Sequence, residues 1–229
     1  GRGGSGTGWS ALMPTLLITA GPTHEPLDAV RYLANRSSGR LGVAIANEAS
    51  RRGWRVLLLL GPVGESVVAA VAPGVEMQRF RTCADLESLL AQRGGEGDVV
   101  IMAAAVADFR PEAGGTGKMR RTPGGLVLRL ASTPDLLAGL AARRRAAQVL
   151  VGFALEERET MVEAAREKRA RKGVDFVVAN ALETMDATTI EAALIGPGGG
   201  CEWSGEMAKT TFAGWLLDRV CAGVAAREQ

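Results

Sequence analysis

The feature that most constrains this chain is a series of short, almost wholly apolar runs separated by stretches of helical character. The runs occupy residues 15–20, 55–60, 99–105, 149–153 and 175–179. Apolar runs of this length, without polar alternation, suit strands covered on both faces, as in a parallel sheet between helical layers. Residues 38–52, 82–92 and 156–172 read as helices. Thr82 and Asp85 stand at capping-box spacing, with Asp where Glu or Gln is usual. Thr133-Pro134 predicts a further helix with Pro at its first position. Weaker strands are expected at 75–80, 126–130 and 192–195, a turn at 196–200 and a closing helix at 207–226. Repeated β–α alternation predicts an α/β, Rossmann-like three-layer domain, its sheet mostly parallel with an antiparallel edge from the later elements.

With 47% apolar residues, the 229-residue chain can fill a substantial core. No apolar run approaches the roughly 18 residues needed to span a bilayer, and no secretory leader pattern is present, so a cytoplasmic protein without a membrane partner is expected. The 27 basic and 25 acidic residues are too balanced to imply a nucleic-acid partner. Cys83, Cys201 and Cys221 are widely spaced and form no CxxC pair, which argues against a disulfide framework or zinc site. Residues 1–13 have G-x-G-like spacing, but no strand precedes them, so they read as a flexible tail or linker. Residues 14–229 read as one nucleotide-binding domain.

Ligands of open α/β sheets bind beyond the C-terminal strand ends, and four loops there are unusual. The first runs from Gly21-Pro22 through Arg31 and Asn35 to Ser37-Ser38-Gly39, where small residues at a helix start suit an anion. An ordinary N-cap is the plainer alternative. The second carries Ala103-Ala104-Ala105 and then Asp108; small side chains permit close backbone approach, and the carboxylate could meet a nucleotide hydroxyl or hydrated Mg²⁺. Asp108 as a helix cap is weakened because no helical pattern follows it. The third, residues 114–121, flanks Lys118-Met119-Arg120-Arg121 with glycines, as either a closing flap or a solvated surface loop. The fourth offers Phe153 to a base. Lys168 and Lys172 share one helix face, which alone suggests a solvated surface. His24 reads as a loop residue, and no His/Cys metal cluster is present.

Six segments occur together in order: LLITAGPTHEPLDAVRYLANRSSGRLG, AAVADFRP, the lysine of KMRR, STPDLL, VGFALE and AREKRARKGVDFVVAN. In this combination the chain resembles the phosphopantothenoylcysteine synthetase family, the synthetase half of bacterial bifunctional decarboxylase/synthetases. The resemblance is strong over about 15–180 and weaker beyond. It implies a CTP-dependent ligase of coenzyme A biosynthesis that couples 4′-phosphopantothenate to cysteine through an acyl-cytidylate. Lys118 aligns with a flap lysine assisting acyl-cytidylate formation, and Asn35 with an asparagine holding the activated intermediate. Arg31 aligns with a phosphopantothenate-linked arginine, with Ala104 and Ala105 approaching that ligand through their backbone. Asp108, Pro134, Asp135, Leu136, Leu137, Phe153, Lys168 and Lys172 align with the cytidine-nucleotide site, and Ser37, Ser38 and Gly39 with its triphosphate. The resemblance further implies Mg²⁺ held mainly through the phosphates, a homodimer, and a fused or separate decarboxylase.

Three departures stand against that pattern. The family flap carries further lysines where this chain has Arg120 and Arg121, and arginine is not equivalent to lysine as a compact phosphate contact. Residues 188–192 replace an asparagine-containing stretch, and Glu156-Glu157 replaces a glutamate–threonine pair. A nicotinamide-dependent oxidoreductase would instead need a tight glycine turn after the first strand and an acidic residue closing the second, where this chain has Gly61-Pro62. A catalytically inactive nucleotide-binding or partner-binding relative is the other alternative; the presence of Asn35, Asp108 and Lys118 argues against it.

Overall fold

The structure is a computed structural model describing residues 13–112, 117–121, 123–185 and 187–225. Nearly all of the segment read as a tail, and Gly114, Gly115 and Thr116 of the flap, lie outside the described residues.

The apolar runs form the centre of an eight-stranded sheet. β1 (Thr15–Ala20) lies at its heart, followed in the chain by a two-stranded ribbon of β2 (His24–Pro26) and β3 (Tyr32–Ala34). Then come α1 (Arg40–Arg51), β4 (Arg55–Leu60), α2 (Glu65–Ala69), β5 (Val75–Arg79), α3 (Cys83–Arg93) and β6 (Val99–Met102). A second ribbon pairs β7 (Phe109–Pro111) with β8 (Leu130–Ser132). The chain continues through α4 (Leu136–Arg143), β9 (Val149–Glu156), α5 (Met161–Lys172) and β10 (Phe176–Ala181). Short strands β11 (Thr189–Ile190), β12 (Ala192–Ile195), β13 (Cys201–Trp203) and β14 (Met207–Ala208) precede α6 (Lys209–Ala225).

The sheet order is β13-β12-β10-β9-β6-β1-β4-β5. From β10 to β5 every pairing is parallel, and β12 and β13 add the expected antiparallel edge. Because side chains alternate across a strand, Leu16, Ile18 and Ala20 face one helical layer while Leu17 faces the other. The first layer holds α1 and α6, packed through Ile45, Ala46, Phe212 and Leu216. The second holds α3, α4 and α5, packed through Leu86, Leu140 and Ala165. The chain turns from β1 to β4 and β5 on one side and to β6, β9 and β10 on the other. The strand order therefore reverses between β1 and β6, the place where such sheets open a crevice.

Two glycines seat α1 over that crevice. Gly39 is buried with φ 72°, and a Cβ there would stand 2.9 Å from Val63 Cγ1 and 3.3 Å from the Gly21 backbone. At Gly42 a Cβ would collide with Ala20 Cβ, so only glycine lets the first turn of α1 approach β1 this closely. Gly42→Ala is expected to lift α1 and destabilise the fold by about 1–3 kcal/mol, the usual cost of overpacking. Thermal unfolding checks this; an unchanged midpoint would contradict the close seating.

Several local expectations are corrected. Residues 126–130 do not form a strand: only Leu130 joins β8, and Leu126 and Val127 are exposed, so their apolar character reflects no burial in the sheet. Pro134 precedes the helix instead of opening it. Asp135 is the N-cap of α4, its carboxylate accepting the Ala138 N–H at 3.0 Å. The helix read from residue 156 starts at Met161, because β9 extends to Glu156. The Thr82–Asp85 capping box is present, and Glu25 adds a cap by accepting the Cys83 N–H at 2.7 Å.

Candidate functional site

The floor of the crevice is made by the ends of β1 and β6. Thr19 Oγ1 accepts the Ala104 N–H at 3.1 Å, and Thr23 Oγ1 accepts the Ala107 N–H at 3.0 Å. Backbone bonds Ala105 N to Gly21 O (2.9 Å) and Thr23 N to Ala105 O (3.2 Å) complete the join. The floor is thus stapled from below by buried hydroxyls, while small alanine side chains leave its backbone approachable from above. Thr133 Oγ1 donates to Ala107 O at 2.6 Å and holds the following turn in place.

One wall is the N-terminus of α1. Gly39 caps it with no side-chain hydrogen bond to the helix, and no acidic residue occupies its first turn. The hydroxyls of Ser37 and Ser38 face the Gly39 and Arg40 N–H groups at 3.4 Å. Backbone donors, hydroxyls and the positive end of the helix dipole converge there, an arrangement that favours phosphate-like anions. Asn35, just before it, is tied to the floor by Nδ2 donating to Val106 O at 3.0 Å.

The opposite wall comes from β9 and α5. Lys168 reaches across from α5 and donates to Phe153 O at 2.6 Å. Burial lowers its pKa, and the negative charges of Glu156 and Asp108 partly offset that shift. An arriving polyanion would favour the ammonium form by the same Coulombic effect. Gly152 beside Phe153 lets Leu137 of α4 pack against β9: a Cβ there would stand 2.8 Å from Leu137 Cδ2.

These walls enclose a cavity of about 710 Å³, large enough for a nucleotide. Its cations, Arg36, Arg40, Lys168 and Lys209, outweigh its carboxylates, Asp108 and Glu156. A second cavity of about 750 Å³ lies across residues 35–40, bordered by His24, Tyr32 and Arg79. The His24 ring stacks on Tyr32 at 3.7 Å, and burial lowers its pKa, keeping it neutral to lower pH.

The family model for the DNA/pantothenate metabolism flavoprotein C-terminal domain matches residues 13–224. The chain belongs to that family. A cysteine/cysteine sulfinic acid decarboxylase from an unknown prokaryotic organism is 38% identical over 172 residues, 75% of this chain and 47% of the relative. The bifunctional coenzyme A biosynthesis protein CoaBC of Bacillus subtilis is also 38% identical over 172 residues, 75% of this chain and 41% of its own length. This chain spans less than half the length of these curated relatives. The solved C-terminal domain of a CoaBC protein superposes with a TM-score of 0.75 at 30% identity, covering 90% of this chain and 93% of that one.

Within this DNA/pantothenate metabolism family domain, the cavity brings together Asn35, Ser37, Ser38, Gly39, Ala104, Ala105, Asp108, Phe153 and Lys168. Pro134, Asp135, Leu136, Leu137, Lys172, Arg31 and Lys118 do not line it. Leu136 and Leu137 are buried in the core beneath α4, and Lys172 pairs with Asp135. Lys118 is exposed on the flap. Arg31 bonds to Asp28 and to Met119 O, away from the cavity lining.

Sequence reasoning missed Thr19, Thr23 and Thr133, whose roles depend on partners far along the chain. It also missed Arg40 and Lys209, for which the first positions of α1 and α6 would have been the signal. Among the described residues, no three His, Cys, Asp or Glu side chains group as a metal site. No described helix is long and apolar enough to cross a membrane.

Proposed function

We propose that this chain is a phosphopantothenate–cysteine ligase acting in cytoplasmic coenzyme A biosynthesis, with CTP as the activating nucleotide. One observation carries the reading: a glycine-seated helix N-terminus, an alanine-edged floor and the Phe153–Lys168–Asp108 wall converge on one cavity at the strand-order reversal. Serine hydroxyls and first-turn N–H groups of α1 take the triphosphate. The backbone around Ala104 and Ala105 takes the pantothenate amide chain, and Phe153 offers a face to the base.

In the first half-reaction a carboxylate oxygen of 4′-phosphopantothenate attacks the α-phosphorus of CTP. The new C–O–P bond forms as the α–β P–O bond breaks, and pyrophosphate leaves. In the second, the amine of cysteine attacks the acyl carbon; CMP departs with the C–O bond pair, and the amine gives up a proton. Both steps depend on positioning and on cations and backbone donors aimed where charge develops. The donor set suits Mg²⁺ held largely by phosphate oxygens, with Asp108 as the carboxylate at the mouth; bound there, the ion would neutralise phosphate charge.

The deciding assay is pyrophosphate release with 4′-phosphopantothenate, Mg²⁺ and either CTP or ATP, with and without cysteine. The reading predicts release that requires phosphopantothenate and prefers CTP, with amide formed only when cysteine is added. A preference for ATP would keep the reaction and overturn the nucleotide. No release from folded protein would overturn the ligase reading.

A homodimer belongs to the same proposal. Val30 beside one ribbon and Tyr32 on it, and Phe109, Leu126, Val127 and Leu130 on and beside the other, are exposed apolar residues, with Val127 at 90%. The two ribbons are neighbours in space through β2 and β7. Exposed apolar surface of this kind marks an association face, and Arg31 lies beside it, where it could serve a partner's phosphopantothenate. Val127→Asp is expected to halve the mass seen by light scattering after size exclusion and to depress ligase activity. Unchanged mass would remove this face as the dimer contact.

A further inference from the structure

The ribbon between β1 and α1 contains an acidic residue that the ligase reading leaves without a role. The Asp28 side chain is fully enclosed although it sits on a surface loop. Its two oxygens have separate tasks. Oδ1 accepts the N–H groups of Val30 (2.8 Å) and Arg31 (2.7 Å), shaping the local turn. Backbone bonds from Leu27 and Asp28 to Arg31 O close that turn independently. Oδ2 faces outward to Arg31 Nη2 (2.5 Å) and Nε (3.1 Å) and also accepts the N–H of Met119 at 3.0 Å. The same Arg31 Nη2 donates to Met119 O at 3.0 Å. Both polar groups of one flap residue, 91 positions along the chain from Asp28, are therefore engaged by one carboxylate–guanidinium pair. Charge-assisted bonds of this kind are stronger and more directional than neutral ones.

We propose that Asp28 is a positioning residue for the flap: with Arg31 it clamps the Met119 peptide from both sides and so sets where the adjacent Lys118 ammonium can reach. The proposal rests on the ligase reading for its functional consequence, but the clamp itself does not. A side chain as long as lysine on an exposed loop samples many positions, and fixing the backbone one residue away removes much of that freedom. Arg31 thereby gains a second task beside any contact with substrate.

Asp28→Asn separates the two tasks of the carboxylate. The amide oxygen can keep the turn, whereas the amide nitrogen would confront the Arg31 and Met119 donors with a further donor. The bond cut by trypsin after Lys118 ends in the Met119 N–H that Asp28 holds. In the native full-length chain, the Asp28→Asn variant is expected to be nicked at Lys118 about tenfold faster than the unaltered protein, following a larger open population of the flap. Cutting at remote sites such as Arg93 should be unchanged. Arg31→Lys, which keeps charge but not the two-way reach of the guanidinium, is expected to lie between them. In the ligase assay, Asp28→Asn should slow pyrophosphate release with CTP KM little altered, while cysteine coupling from a supplied acyl-cytidylate proceeds at the unaltered rate. Nicking at the unaltered rate, or equal acceleration at remote sites, would overturn the clamp. Loss of both half-reactions in parallel would overturn its positioning role. If the unaltered protein releases no pyrophosphate, the ligase reading fails while the protease comparison still decides the clamp.

Discussion

Lys118→Gln is expected to slow phosphopantothenate-dependent pyrophosphate release by about a hundredfold to a thousandfold, the range for losing one preorganised charge donor. Glutamine keeps an N–H donor and most of the reach and removes the positive charge. The side chain is exposed and lies outside the cavity lining, so the substitution should leave thermal stability unchanged. Cysteine coupling from supplied acyl-cytidylate should proceed normally, because the triphosphate charge has by then left. The measurement is single-turnover pyrophosphate release beside amide formation from the intermediate. A Lys118→Gln protein that releases pyrophosphate at the unaltered rate would leave Arg120 or Arg121 as the effective flap cation.

Asn35→Asp is expected to show the reverse pattern: pyrophosphate released once per site, with amide formation reduced by about a hundredfold or more. Asn35 donates through Nδ2 to Val106 O at 3.0 Å, between the anion cradle and the alanine-edged floor. Aspartate at this position places a carboxylate oxygen against that carbonyl oxygen. The tether becomes a repulsion, and on the proposed reading the activated intermediate loses its anchor while the helix donors assigned to the triphosphate remain. Quenched reactions should then accumulate acyl-cytidylate. Equal loss of both half-reactions in the Lys118 and Asn35 variants would remove the division of labour between them.

Much of the architecture was legible because it depends on local pattern. Residues 15–20, 55–60 and 99–102 are strands, since continuous apolar sequence of that length is satisfied only between two covering layers. The cap at Thr82 was legible because its partner stands three residues away. The start of α1 after Ser37–Gly39 was visible for the same reason, as small residues opening a periodic helix. What escaped are features fixed by distant partners. Leu126 and Val127 are apolar yet exposed, so burial in the sheet does not explain them. Thr19 near the end of β1, Glu25 in β2, and Thr23 and Asp28 in the turns beside them are polar residues with no local pattern. Their meaning comes from Ala104, Ala107, Cys83 and Met119, none of which periodicity can pair with them. The candidate site residues rest on the combination of six segments, because no single loop distinguishes a ligand contact from an ordinary cap or solvated lysine.

The stapling of β1 to β6 has a consequence for redesign. The base of the crevice owes its shape to the hydroxyls of Thr19 and Thr23 and to main-chain bonds between the segments that leave β1 and β6. The walls are excursions of the chain that border it: the loop leading into the first turn of α1, and the face made by β9 and α5. Base and walls are thus separable modules. A designer seeking a site for a different ligand would keep the threonine-pinned base untouched and graft new excursions onto it. Libraries confined to the walls should yield folded proteins far more often than libraries that touch the base.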